Sequence, residues 1–174
     1  MKLGVIATLG RDWATAVERV RIAEELGYSH ATAGEAWGAS AIPFLTLLAV
    51  NTSRMTLGTS ILNCFSRTPA VFAQEFALLD QISDGRMVFG LGSSGSNVIE
   101  HFHGVPFEKP LRRIRETVEI FDTLISGEKL EYDGEIFQVE RGFRLDAPTP
   151  RPKIPVWIAA LTPRSVRQTG EIAD

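Results

Sequence analysis

Cysteine, histidine and long apolar runs are all scarce in this chain of 174 residues. Cys64 is the only cysteine, which excludes a disulfide framework and any cysteine-rich metal centre. The histidines are His30, His101 and His103, and no carboxylate cluster stands near them at metal-ligand spacing, so no metal site is expected. No apolar run approaches the ~18 residues of a membrane span. Met1-Lys2 leads directly into Leu3-Gly4-Val5-Ile6-Ala7, too short a run for the core of a secretory signal. Neither sign of charge dominates: 18 basic and 21 acidic residues are interspersed, so nucleic acid and anionic membrane surfaces are not expected partners. The G-x-S-x-G elbow and the P-loop are both missing. What remains, with 44% hydrophobic and 22% charged residues, is an ordinary globular balance, and a cytoplasmic location is expected.

Strand and helix patterns alternate along the chain. Leu3 to Ala7 suits a buried strand, and Asp12 caps a helix carrying Trp13, Ala16, Val17, Val20, Ala23 and Leu26 up to Gly27. Tyr28 to Gly34 reads as a second strand, Ile42 to Asn51 as a helix starting near Pro43, and Met55 to Ile61 as a third strand. Thr68-Pro69 opens a helix with a buried stripe of Phe72, Phe76, Leu79 and Ile82, ended by Asp84-Gly85. Met87 to Leu91 is a fourth strand. After a loop, Leu111, Ile114, Val118, Phe121 and Ile125 mark an amphipathic helix, with Arg112–Glu116 and Arg115–Glu119 as i,i+4 pairs on its outer face. Residues 129–145 read as an inserted hairpin with a tight Asp133-Gly134 turn. Pro148, Pro150, Pro152 and Pro155 mark an extended connector, Val156 to Ala160 is a fifth strand, and Thr162-Pro163 starts a last helix.

Five βα units in series predict an α/β fold with a parallel sheet covered by helices, either doubly wound or part of a (β/α)8 TIM-type barrel. Gly90-Leu91-Gly92-Ser93-Ser94-Gly95 matches G-x-G-x-x-G after a strand, but the position for the ribose-binding acid falls at Glu116, inside a helix. The run therefore reads as a glycine- and serine-rich strand end that exposes backbone N–H groups. Arg54 and Arg86 precede strands, where a structural role is expected. The segments that follow the strands are richer: Thr8-Leu9-Gly10, Glu35-Ala36-Trp37-Gly38, Ser60-Ile61-Leu62-Asn63, Ser93 to Asn97, and Ala159-Ala160-Leu161. These lie where an α/β sheet forms its ligand face. Glu35 beside Trp37 suits a conjugated, hydrogen-bonding ring, while a solvated acid and a packing indole fit the local sequence equally well.

Taken in order, Glu35-Ala36-Trp37-Gly38, Thr52 to Thr59, Ser66-Arg67-Thr68-Pro69, Leu79 to Arg86, Gly90-Leu91-Gly92, His103 to Phe107 and Thr169 to Asp174 carry a family likeness. Across nearly the whole chain the sequence resembles the luciferase-like flavin-dependent monooxygenase superfamily. The stretch from Ser94 through His103 to Pro163 is most similar to the branch that uses the deazaflavin coenzyme F-420 rather than FMN.

The resemblance implies a (β/α)8 barrel of which residues 1–174 form the N-terminal part, as one domain with a hairpin insertion near 129–145. It implies an oxidoreductase that moves hydride between a deazaflavin and a small organic substrate. An FMN-dependent monooxygenase using O2 and a catalytically incomplete half-barrel that binds only a ligand or another chain are the alternatives. Glu35 and His103 are the implied catalytic residues, and Trp37, Thr59, Ser60, Ile61, Asn63, Ser93, Ser94 and Gly95 the implied cofactor-binding ones. A cis peptide is implied at Ser60-Ile61. The carboxylate that some deazaflavin dehydrogenases carry after the fourth strand is replaced by Ser93-Ser94-Gly95-Ser96, with Glu100 the nearest acid. Open edges at the first and fifth strands, and an inner face with Val5, Leu57, Val88 and Trp157, lead to an expected homo-oligomer.

Overall fold

A computed structural model describes residues 2–10 and 12–174, so Met1 lies outside the described residues. The elements are β1 (Gly4–Ile6), α1 (Trp13–Glu25), β2 (His30–Ala33), α2 (Ala41–Asn51), β3 (Thr56–Thr59), β4 (Leu62–Asn63), α3 (Pro69–Ile82), β5 (Met87–Gly92), α4 (Ser96–His101), α5 (Pro110–Ile125), β6 (Leu130–Asp133), β7 (Gln138–Phe143), β8 (Val156–Ile158) and α6 (Pro163–Ile172). Helix starts follow local chemistry. The Asp12 carboxylate accepts the N–H groups of Ala14 and Thr15, Thr68 accepts that of Val71, and Thr162 forms a reciprocal capping box with Ser165. The short helix α4 occupies what reads as a loop in the sequence.

The main sheet is wholly parallel. β1 pairs with β2, β2 with β3, β3 with the first half of β5, and β4 and β8 with its second half. Register neighbours in a parallel sheet share a face, so Gly4, His30 and Thr56 lie on one side, as do Thr32, Gly58 and Val88, and Gly90 with Trp157. This side is concave. The rings of His30 on β2 and Trp157 on β8 meet edge-on at 6.1 Å, although β3 and β5 lie between their strands. The convex side carries Ala31, Leu57, Met87, Phe89, Leu91 and Val156 into the helix layer. Phe89 is its hub, with ring centroids 5.0, 4.7 and 4.5 Å from Phe72, Phe76 and Phe121. Gly90 must stay small: a Cβ there would stand 1.7 Å from the Thr59 carbonyl oxygen.

Several sequence expectations are corrected by this geometry. Val88 and Trp157 do line the concave face, but Val5 and Leu57 point to the helices, because alternation along each strand sends them the other way. Leu3 to Ala7 is not a buried strand: only Gly4–Ile6 pairs, on one side, and Ile6 is 74% exposed on the concave face. Ile82 ends α3 at the surface, outside the buried stripe of Phe72, Phe76 and Leu79.

Buried charges tie the ends of elements together. The Glu24 carboxylate accepts the N–H groups of Ser53, Arg54 and Met55 just before β3. Arg86 donates to the carbonyls of Ala49, Thr52, Met55 and Ser83, and Arg151 forks onto the fully buried Asp80 at 3.0 and 2.8 Å. Arg86 thus has the structural role read for it, at the face of the sheet where strands begin.

Glu116 is the clearest departure on α5. It pairs with Arg112 as expected, yet its side chain is fully buried and accepts the N–H groups of Glu135, Ile136 and Phe137 at 2.8–2.9 Å. Arg115 pairs with Glu171 instead, and Glu119 takes the Tyr132 hydroxyl. The hairpin β6–β7 consequently turns through four residues, 134–137, and not through a tight Asp133-Gly134 turn. A buried carboxylate needs donors, and the wider loop presents three.

Burial pushes the Glu116 carboxyl up, but the three N–H groups and Arg112 together outweigh it and hold it below the usual range. The stability it adds is therefore complete above the unfolded value of about 4.3 and lost as pH falls through the lower folded value. Glu116→Ala should cost on the order of 3 kcal/mol and open the 134–137 loop to protease, with the deficit shrinking below about pH 4. Thermal melts at several pH values with limited proteolysis check this; a wild-type proteolysis pattern would count against it.

Candidate active site

The loops after β1, β2, β3 and β5 converge at the ends of the strands. They enclose a cleft of about 610 Å³ bordered by Ala7, Thr8 and Leu9, by residues 33–36 and 38–41, by Phe44, by Ser60 and Ile61, and by Ser94. Small side chains make this opening: Ala33, Gly34, Ala36, Gly38 and Ala39 form most of one wall. Gly34 also sits tightly under the next strand end, where a Cβ would lie 3.0 Å from the Ser60 carbonyl oxygen. The Ser60-Ile61 peptide is cis, as the sequence resemblance implies. The Glu35 N–H donates to the Ile61 carbonyl at 3.1 Å, joining the two walls.

Of the residues singled out in the sequence, Glu35, Ser60, Ile61 and Ser94 border the cleft. Glu35 is committed elsewhere: its Oε1 receives Arg67 Nη1 at 2.6 Å, and its Oε2 receives Arg67 Nη2 at 3.0 Å and the Ala41 N–H at 2.9 Å. Burial pushes its carboxyl up, but Arg67 and the Ala41 N–H together hold it below the usual range. Such a group stays ionised near neutrality and has no proton to give. Trp37 is 70% exposed and does not border the cleft.

The remaining assignments fall outside the cleft lining. The Thr59 hydroxyl is spent within the sheet, donating to the Gly90 carbonyl at 2.7 Å and accepting its N–H at 2.9 Å. Asn63 is fully buried and uses Oδ1 to turn the chain, accepting from Phe65 at 3.0 Å and Ser66 at 2.8 Å. Ser93 donates to the Ser94 carbonyl at 3.1 Å, and Gly95 caps α4. His103 follows α4, with its ring edge-on to Phe102 at 5.1 Å. Ala159-Ala160-Leu161 also lies apart from the cleft.

Phe44, Ser40 and Arg67 were not legible as site residues. Phe44 reads as core, and Ser40 only as loop. Arg67 does leave a signal, a lone cation between a strand end and the Thr68-Pro69 cap. Among the described residues no group of three or more His, Cys, Asp or Glu is placed to hold a metal ion, and no helix is long and apolar enough to cross a membrane.

The family described as luciferase-like monooxygenase matches residues 1–174. The 5,10-methylenetetrahydromethanopterin reductase of Archaeoglobus fulgidus is 32% identical over 159 residues, covering 89% of this chain and 46% of that protein. A glucose-6-phosphate dehydrogenase of Microbacterium testaceum, described as dependent on coenzyme F-420, is 35% identical over 139 residues, covering 78% of this chain and 40% of its own length. The solved structure of the tetrahydromethanopterin reductase of Methanopyrus kandleri, likewise described as dependent on coenzyme F-420, superposes with a TM-score of 0.91 at 27% identity, over 99% of this chain and 54% of that one. The chain spans about half the length of the curated relatives it matches.

Cys64 lies under this face, fully buried, and burial pushes its thiol up to about 12. It should resist a thiol reagent at pH 8 in the folded protein and react at once in denaturant. A colorimetric thiol assay with and without guanidinium reads this directly; immediate labelling of folded protein would show the burial to be wrong.

Proposed function

Because the chain belongs to the luciferase-like monooxygenase family, we propose that it forms the cofactor-facing part of an oxidoreductase that uses coenzyme F-420, in preference to FMN, on a small organic substrate. The observation that carries this reading is the cleft itself: an open slot at the C-terminal ends of parallel strands, walled by small side chains and floored by Ser60 and Ile61. In barrels of this class ligands bind at that end. Two of the relatives named above are described as dependent on coenzyme F-420, which supports the deazaflavin over FMN.

The residues present fit one side of a fused, flat ring. Ala7, Ala33, Ile61 and Phe44 offer apolar contact, and the hydroxyls of Thr8, Ser60 and Ser94 can bond to ring carbonyls and nitrogens. When bound, a deazaflavin supplies hydride, whereas reduced FMN supplies electrons to O2. Glu35 serves as the fixed post of the wall and not as the proton carrier, since both of its oxygens are engaged. His103 stands outside the cleft lining, so its implied catalytic role has no contact to rest on.

Titration of the chain with each cofactor, followed by the deazaflavin band near ~420 nm and the FMN band near ~450 nm, tests the proposal. The deazaflavin should give the larger spectral change, and Ala39→Trp, which fills the cleft from its wall, should abolish it. No change with either cofactor, or a change that survives Ala39→Trp, would sink the assignment.

We also infer that two copies associate through α2 and α3. α2 carries no charged residue, and both charges of α3 are taken, Glu75 by Arg67 and Asp80 by Arg151. The outer face of α3 shows Leu78 at 56% exposure, with Val71 and Ile82 beside it. An apolar strip of this kind complements itself across a two-fold axis. Light scattering over a range of concentrations should give a dimer that Leu78→Glu dissociates; a wild-type monomer throughout would overturn this.

A further inference from the structure

We propose that Arg67 is the positioning residue of the cleft: it sets the 34–41 wall through Glu35 without itself touching what the cleft holds. The inference rests on the reading of this cleft as a cofactor pocket. Arg67 does not border the cleft, yet every N–H of its guanidinium is engaged. Nε donates to Glu75 at 3.2 Å, Nη1 to Glu35 at 2.6 Å and Ser66 at 3.3 Å, and Nη2 to Glu35 at 3.0 Å and Ser40 at 3.3 Å. One side chain thereby joins the loop after β2, its own loop after β4, and the second turn of α3.

Among the described residues, the 34–41 segment has little else to hold it. It contains no helix or strand before Ala41, and its residues are mostly glycine, alanine and serine. Short side chains make room for a ligand but supply few packing contacts, so the segment depends on a few polar ties. Those ties are the Glu35 N–H to Ile61, the Glu35 carboxylate to Ala41 at the start of α2, and Arg67 on Glu35 and Ser40. Three of the four involve Glu35, and Arg67 fixes that carboxylate with a planar fork. An ammonium has three donors on a single nitrogen and cannot span Glu35, Ser40, Ser66 and Glu75 as the five-donor plane does, so lysine is no substitute.

Hydrogen–deuterium exchange on the chain without cofactor tests this. In Arg67→Lys, the amides of Glu35 and Ala41, the two of this segment held by hydrogen bonds, should exchange at least ~10-fold faster, while those of 53–55, held by Glu24 at the opposite end of the sheet, keep their wild-type rate. Arg67→Met should do the same or fail to fold. The triple variant Glu35→Gln/Arg67→Met/Glu75→Gln leaves neither carboxylate without its cation, so it should regain thermal stability over Arg67→Met yet keep the fast wall. Wild-type protection of the Glu35 and Ala41 amides in Arg67→Lys, or equal acceleration in both segments, would overturn the proposal. A parallel deazaflavin titration separates the two readings: a loosened wall in a chain whose wild-type form takes up no cofactor upholds the positioning role and rejects the cofactor pocket.

Discussion

The stacking of Phe72, Phe76 and Phe121 around Phe89 is the contact on which the remaining architecture depends. Phe89 comes from the strand that pairs with β3, β4 and β8, while its three partners come from α3 and α5. All four side chains are fully buried. Burial of each such ring stabilises the fold by about 1.5–3 kcal/mol, with an added preference for tilted and edge-on geometry. The cluster loads one side of the sheet with bulk, while the other side carries Gly58 and Gly90 among its residues, and a sheet so loaded can curve toward the side with the glycines.

Charge in this protein is used chiefly on backbone. Glu24, Glu116 and Arg86 each gather several main-chain groups that no helix or strand satisfies, and Asp80 accepts the Met87 N–H beside its fork from Arg151. Removing a backbone group from water without a partner is costly, and an ionised partner repays that cost better than a neutral one. The same arrangement explains the chemistry of the cleft. Glu35 borders the cleft, but its carboxylate belongs to Arg67 and Ala41. The cleft wall near it is thus electrically quiet, suited to a neutral ring more than to proton transfer.

The elements themselves were readable from local patterns. Helix caps at Asp12, Thr68 and Thr162, the stripe of Phe72, Phe76 and Leu79, and the runs that became β3, β5 and β8 are each set by neighbours a few residues away. Ser60-Ile61 was reached through likeness to a family, since nothing in its own composition asks for a cis bond. The site was only partly legible. Ser60, Ile61 and Ser94 reach the cleft, whereas Thr59 and Asn63, one before and two after that pair, turn into hydrogen bonds of the sheet and the next turn.

Sequence alone determined the alternation of strands and helices, the parallel α/β class and the end of the sheet at which a ligand would sit, because periodicity and caps act over one or two turns of chain. Tertiary structure decided which face of each strand meets the helices, sending Val5 and Leu57 outward and Trp157 inward. It also decided the fate of the charges. Arg67 lies 32 positions from Glu35, and Glu116 lies about 20 from the loop it holds. A carboxylate is equally willing to face water, an arginine or three amides, and only the folded chain fixes which of these surrounds it.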